Sequence, residues 1–280
     1  MPKSFIQRLH EVTAARASLL CLNLDPELRL LPSSIQRSPS PVWKFVQEIL
    51  DATLPYLSAV KLNLAFYEVL GNKGWRIIER VLAYLPKSVI AIADGKRNDI
   101  GNTARLYAEA YFSTFSFDAI TVNPLLGSDS VAPFLERPDR GTFILTLTSN
   151  PSAKDFQERR FGKRRLCDDI ATKAVQWNTN HNVGLVVGAT HAKDVRRLRR
   201  LAPELPFLIP GIGAQGGDLE SAVRYSITVD GDGTLIAIGR AILYANSTSS
   251  FAEHAAREAE HFRNRINQAI SRSTGTKEAY

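Results

Sequence analysis

Cysteine is scarce in this chain, and the scarcity removes two classes of protein at once. Cys21 and Cys167 are the only two in 280 residues. Two such thiols, one in an apolar strand pattern and one in a helical one, build neither a disulfide framework nor a metal site, which fits a reducing compartment. Long apolar runs are missing too, since none reaches the roughly 18 residues a bilayer crossing needs. Met1 to Ala15 has charges inside its apolar periodicity and lacks a signal-peptide layout, so a cytoplasmic location is expected. No Pro/Gly/Ser-rich linker divides the sequence, and the histidines show no ligand spacing. A net charge of +7 raises the question of nucleic acid. The basic residues fall in Arg159-Arg160, Lys163-Arg164-Arg165 and Arg196-Arg197 with Arg199-Arg200, without interleaved aromatics or a nucleic-acid motif. They read as solvated helix faces and a loop that favours an anionic small molecule. Neither nucleic acid nor membrane is an expected partner.

What is present is an ordinary globular composition, 44% hydrophobic and 22% charged, in a chain long enough for one large core. Short β-branched apolar runs predict strands at Leu19–Asp25, Ala59–Phe66, Val89–Lys96, Ala119–Asn123, Thr142–Ser149, Val183–Ala189, Phe207–Gly213 and Thr234–Ala241. Helical patterns separate them at Val42–Leu54, Trp75–Leu85, Ile100–Phe115, Leu166–Asn178 and Ala192–Leu201. Shorter connections lie near Val131–Leu135 and Leu219–Tyr225. An extra helix, Phe5 to Ala15, precedes the first strand, and a last one runs from Phe251 to Ile270. Strict alternation predicts a parallel sheet, and eight units predict an α/β fold closed as a (β/α)8 TIM barrel. The expected organisation is one domain over 1–280: N-terminal helix 1–18, barrel core 19–245, C-terminal helix 246–270 and tail 271–280. Pro32–Pro41 reads as a loop.

Barrel enzymes place their chemistry at the carboxyl ends of the strands. Those ends are polar here: Asn23 and Asp25, Lys61 and Asn63, Asp94 and Lys96, Thr121 and Asn123, then Thr148, Ser149 and Asn150. The densest stretch is Asp94-Gly95-Lys96-Arg97-Asn98-Asp99, where a strand meets a helix. Asp94 and Lys96, two apart, share a strand face. Asp99 is expected in the first helical turn, where its charge suits the macrodipole, and Leu106, Ala110 and Phe115 are expected as that helix's apolar positions. Scattered surface ion pairs are the alternative reading of these residues, but an ionic cluster at one barrel mouth is costly unless paired or functional.

Pro210 to Asp218 satisfies G-x-G-x-x-G, with Asp230 and Asp232 near the spacing of a ribose-binding acid. A dinucleotide site is therefore a literal match, but the motif follows the seventh strand and leaves too little chain for a Rossmann half. Loops after strands seven and eight of barrels commonly hold phosphate, and Gly239-Arg240 at the eighth strand adds a guanidinium suited to it.

These residues together resemble orotidine 5′-phosphate decarboxylase in its longer bacterial branch, from about Leu19 to Ala245. The resemblance rests on Leu24-Asp25-Pro26, Lys61-Leu62-Asn63, Ala65 to Glu68, Asp94 through Ala104, and Thr121-Val122-Asn123-Pro124. It continues in Thr148-Ser149-Asn150-Pro151, Gly188-Ala189-Thr190, Pro210 to Asp218 and Gly239-Arg240. It implies conversion of orotidine 5′-phosphate to UMP and CO2 without a cofactor or metal, in a homodimer. Lys61, Asp94, Lys96 and Asp99 match the family's charge array, with Lys96 as proton donor. Asp99 and Thr103 are implied to reach across the dimer interface. Asp25 matches a ribose ligand, Ser149 a pyrimidine ligand, and Gln215 with Gly239 and Arg240 the phosphate end. Two departures stand out. Asn23 occupies a position usually Gly in this branch, and Gly239 one usually Ser, although Gly-Arg is familiar in the shorter branch. The rival readings are a metal-dependent sugar-phosphate decarboxylase or aldolase of the same superfamily, and a catalytically inactive nucleotide-binding barrel.

Overall fold

The computed structural model describes residues 3–190, 192–212 and 217–275. Helix α1 (Phe5–Arg16) opens on a Ser4 capping box, in which Ser4 Oγ accepts from Gln7 N at 3.3 Å and Gln7 Oε1 from Ser4 N at 3.0 Å. Strand β1 (Leu20–Asn23) leads through α2 (Pro41–Thr53) to β2 (Ala59–Asn63), then α3 (Asn72–Tyr84) to β3 (Ile90–Arg97). Helix α4 (Gly101–Glu109) runs into a π-helical turn at Ala110–Thr114 and delivers β4 (Ala119–Val122). Helix α5 (Ser128–Leu135), β5 (Gly141–Leu147), α6 (Leu166–Trp177), β6 (Val183–Val187), α7 (Ala192–Leu201) and β7 (Phe207–Ile209) follow. Helix α8 (Leu219–Ser226), β8 (Thr234–Ile238) and the long α9 (Phe251–Gly275) complete the order. All eight strands pair in parallel, each with its sequence neighbour, and β8 closes on β1 through Leu22 opposite Ile238. The expected (β/α)8 barrel is the observed fold.

Its interior is packed, as a barrel of this size requires. Cys21, Ala59, Ile90, Ile92, Ala119, Phe143, Val186, Leu208, Leu235 and Ala237 fill the centre. Phe5 and Leu9 of α1, both fully buried, join that cluster and seal the amino-terminal end. The Phe5 ring meets Phe143 edge-on at 5.9 Å. Residue 141 must be glycine for this: a Cβ there would lie 2.4 Å from the Phe5 ring. The outer apolar layer lies between the strands and the ring of helices. With one end closed, polar chemistry is confined to the other.

Several boundaries differ from expectation. Leu64 and Phe66 leave β2, because the chain turns at once into a short helix, Ala65–Glu68, whose Tyr67 hydroxyl donates to Leu24 O at 2.6 Å. Asp99 lies ahead of α4, not in its first turn, since Ile100 caps the helix. Leu106 is 57% exposed, and α4 packs instead through Ala104 and Ala108. The Pro32–Pro41 segment contains a helical turn, Ser33–Gln36, and α9 continues past Ile270 to Gly275. The basic runs are not all solvated faces. Arg199 stacks 3.7 Å over Phe207 and donates to the carbonyls of Ala202, Leu205, Ser226 and Gly233, so burial lowers its pKa to about 9. Arg197 pairs with Asp168 and Asp194. Among the described residues no helix is long and apolar enough to cross a membrane.

Candidate active site

The carboxyl ends of β2, β3 and β4 assemble one ionic knot. In register, Asn23 stands beside Lys61, and Asn63 beside Asp94. The pairing of β3 with β4 slips between Ala93 and Arg97, and within that bulge Lys96 takes φ +47°. A lysine in the left-handed region carries local strain, of the kind that clusters at functional sites. Thr121 holds it there: its hydroxyl accepts from Lys96 N at 3.0 Å and donates to Asp94 Oδ1 at 2.9 Å. Asp94 Oδ1 also accepts from Lys96 Nζ at 2.7 Å, and Oδ2 from Lys61 Nζ at 2.6 Å. Both carboxylate oxygens are thus satisfied by charge-assisted bonds.

Burial sets the electrostatics. The Lys61 side chain is 5% exposed and that of Asp94 11%, whereas that of Lys96 is 46% exposed. Burial opposes ionisation of Asp94, but the Lys61 and then Lys96 ammonium groups outweigh it and hold its pKa well below the carboxylate range. Burial likewise opposes the charge on Lys61. Asp94 and Asp25 overcome that and raise its pKa. Asp25 shows the opposite balance. Burial dominates over Lys61 and over the Asn63 N–H that it accepts at 3.2 Å, so its pKa is raised. The knot therefore presents a fixed carboxylate between two ammonium groups, with only the Lys96 ammonium open to the mouth.

Asp99 is not part of this knot within its own chain. Its Oδ1 accepts from Ile100 N at 2.8 Å, and no ion pair joins it to Lys96 among the described residues. Thr103 is exposed on α4. Ser149 follows β5 and packs tightly on β6, where a Cβ on Gly188 would sit 2.8 Å from Ser149 N. The loop beyond it is ordered by Gln157, whose Oε1 accepts from Thr148 N at 2.7 Å, and by a hairpin at Arg160–Phe161 and Arg164–Arg165.

At the phosphate end, Gly211 and Gly217 close the base of the glycine-rich loop through Gly217 N donating to Gly211 O at 3.1 Å. Gln215 lies outside the described residues. Asp218 caps α8, accepting from Ser221 N at 3.0 Å. Asp232 sits at the opposite end of the barrel, 3.3 Å from His10 of α1, too far round the fold to serve a ribose at this loop. The literal dinucleotide match therefore fails. Arg240 starts the short helix after β8 and reaches Glu27 Oε1 at 3.3 Å. Glu27 escaped the sequence reading, as did Tyr244, whose hydroxyl accepts from Glu27 N at 2.6 Å and donates to Asp25 O at 3.3 Å. Their only sequence signals are adjacency to Asp25-Pro26 and to Arg240. Among the described residues no cluster of His, Cys, Asp and Glu has the makings of a metal site.

A closed parallel barrel with this Lys-Asp-Lys knot at its carboxyl mouth, its carboxylate buried and bonded at both oxygens, has the architecture of a barrel enzyme. The model of the Orotidine 5′-phosphate decarboxylase / HUMPS family matches residues 18–255, and the chain belongs to that family. An orotidine 5′-phosphate decarboxylase from Dehalococcoides mccartyi is 45% identical over 267 residues, 94% of this chain and 97% of the relative. One from Herpetosiphon aurantiacus is 41% identical over 260 residues, covering 92% and 96% respectively. The solved OMP decarboxylase of Leishmania donovani superposes with a TM-score of 0.83 at 36% identity, covering 95% of this chain and 99% of that one.

Proposed function

We infer that Lys61, Asp94 and Lys96 carry out the reaction of this carboxy-lyase, the decarboxylation of orotidine 5′-phosphate to UMP in pyrimidine biosynthesis. The observation that carries the assignment is the knot itself, with a carboxylate held ionised between two ammonium groups at a substrate-accessible mouth. The bond between C6 and the carboxylate breaks, CO2 leaves, and the electron pair stays on C6. The Lys96 ammonium stabilises that charge and gives its proton to C6, then regains one from solvent. A substrate carboxylate placed ~4 Å from Asp94 is repelled by about 4 kcal/mol at an effective dielectric of ~20, and the repulsion vanishes as CO2 departs. Lys61 keeps Asp94 charged and in place.

The remaining assignments follow the resemblance and the geometry together. Asp25 takes the ribose hydroxyls, Ser149 the pyrimidine edge, and Gln215, Gly239 and Arg240 the phosphate, whose binding energy drives the remote chemistry. Asp99 and Thr103 serve the site of a second copy. In support, Asp99 makes no ion pair with its own knot among the described residues, and Val69, Ile100, Leu106, Leu125 and Leu126 are exposed. Exposed large apolar side chains of this kind fit a subunit interface. The reading is of one barrel domain, cytoplasmic, homodimeric and independent of metal or cofactor.

A spectrophotometric assay tests it directly. Orotidine 5′-phosphate is expected to be converted to UMP equally with and without a chelator. Loss of activity on chelation and its return with magnesium would replace this reading with the metal-dependent sugar-phosphate one.

A further inference from the structure

Two residues of the mouth remain without a role in the knot, and they touch each other. Leu22 of β1 stands opposite Ile238 of β8, so Asn23 and Gly239, one residue further along each strand, are neighbours. On its other side Asn23 stands in register with Lys61. Asn23 therefore stands between the strand that carries Lys61 and the strand end that leads into Arg240. Gly239 has φ −124°, which any residue can adopt, so its backbone does not require glycine. Space does. A Cβ at 239 would lie 2.9 Å from Asn23 Cβ and 3.3 Å from Asn23 O. The larger side chain at 23 and the missing one at 239 are thus one exchange of volume across two paired strands.

The second observation concerns hydrogen bonding. Asn23 Oδ1 is closed off from solvent and has no partner among the described residues. A buried carbonyl oxygen in that state is a standing cost unless a donor arrives. We propose that the donor is the substrate: Asn23 is a further substrate-binding residue, its Oδ1 accepting from a ribose hydroxyl of the ribose-phosphate arm, and Gly239 is the residue that makes room for it. The two departures from the longer branch's pattern then form a single coupled element that places a polar group at the end of β1 and leaves the end of β8 bare.

This rests on the decarboxylase reading, and wild-type turnover of orotidine 5′-phosphate is the reference that separates the two. If wild type does not turn over that substrate, the reading falls. If it does, the variants decide the inference alone. Asn23→Ala is expected to raise KM about tenfold, the loss of one hydrogen bond, with a smaller effect on kcat. It should weaken competitive inhibition by ribose 5-phosphate and by UMP to the same degree, because the contact lies in the part they share. Gly239→Ser is expected to raise KM sharply with Asn23 present and by a markedly smaller factor in an Asn23→Gly background. Unchanged inhibition by ribose 5-phosphate in Asn23→Ala overturns the substrate contact. Equal effects of Gly239→Ser in both backgrounds overturn the coupling, and Asn23→Ala keeps the test decisive should Gly239→Ser not fold.

Discussion

At the scale of single residues, the site is a problem in keeping opposite charges where burial would neutralise them. Lys96 is the least buried member of the knot, so its removal should spare the fold and strike the chemistry. Lys96→Ala is expected to lose more than the ~10²–10⁴-fold of an ordinary general acid, because the same ammonium also stabilises the carbanion. A variant keeping a tenth of wild-type kcat in a stopped assay would remove Lys96 from the mechanism. Asp25 makes a second prediction with a definite sign. Its native pKa is raised, so ionised Asp25 destabilises the folded state. That penalty is absent below the unfolded pKa of ~3.9, grows as pH rises toward the raised native value, and is constant above it. Asp25→Asn should therefore have a higher urea midpoint than wild type at pH 7, an advantage that disappears near pH 3, while its KM for substrate rises. An equal or lower midpoint at pH 7 would contradict this balance. Lys61, Asp94 and Lys96 were legible in sequence because charged residues at the ends of apolar strands have few structural uses. Glu27 was not, since its partner Arg240 is 213 residues away and only barrel closure brings them together.

At the scale of elements, periodicity located every strand of the barrel but extended most of them by one to several residues. The cause is visible at β2, where Leu64 is apolar and buried yet already caps a short helix. Apolar character reports burial, and a buried turn reads like a strand. The π-helical turn at Ala110–Thr114 left no comparable trace. Its Tyr111 hydroxyl accepts from Arg97 Nε at 2.9 Å, a tertiary contact that no local pattern encodes. Helix α1 supplies the test at this scale. Phe5→Ala would open a cavity under the barrel centre and cost about 3–5 kcal/mol. Because this end is remote from the mouth, kcat of the folded variant should match wild type. Thermal unfolding together with kinetics below the transition checks both halves, and a large fall in kcat would mean that the floor of the barrel positions the knot.

At the scale of the whole molecule, a barrel abolishes sheet edges, so association must use faces and loops rather than strand pairing. The proposed dimer would have to use such a face, and Ile100 and Leu106, beside and on α4, are exposed. If Asp99 serves the neighbouring copy, mixing inactive Lys96→Ala with inactive Asp99→Ala under subunit exchange should restore part of the activity, because one hybrid site carries both groups. Proven exchange without recovery would confine Asp99 to its own chain. The residues alone left open which copy Asp99 serves, and only the resemblance implied the neighbour, since a sequence does not distinguish contacts within a chain from contacts between copies.

The plug formed by α1 has a consequence for how the protein is made. Phe5 and Leu9 are translated well before the strands they seal: Arg8 pairs with Asp118, 110 positions later, and the Phe143 ring emerges later still. At ~5–20 residues per second the apolar stripe of the first helix waits on the order of ten seconds for the strands it must seal. During that interval the nascent chain offers a short amphipathic segment with nothing to cover it, and the barrel gains its floor only after more than half of its strands exist.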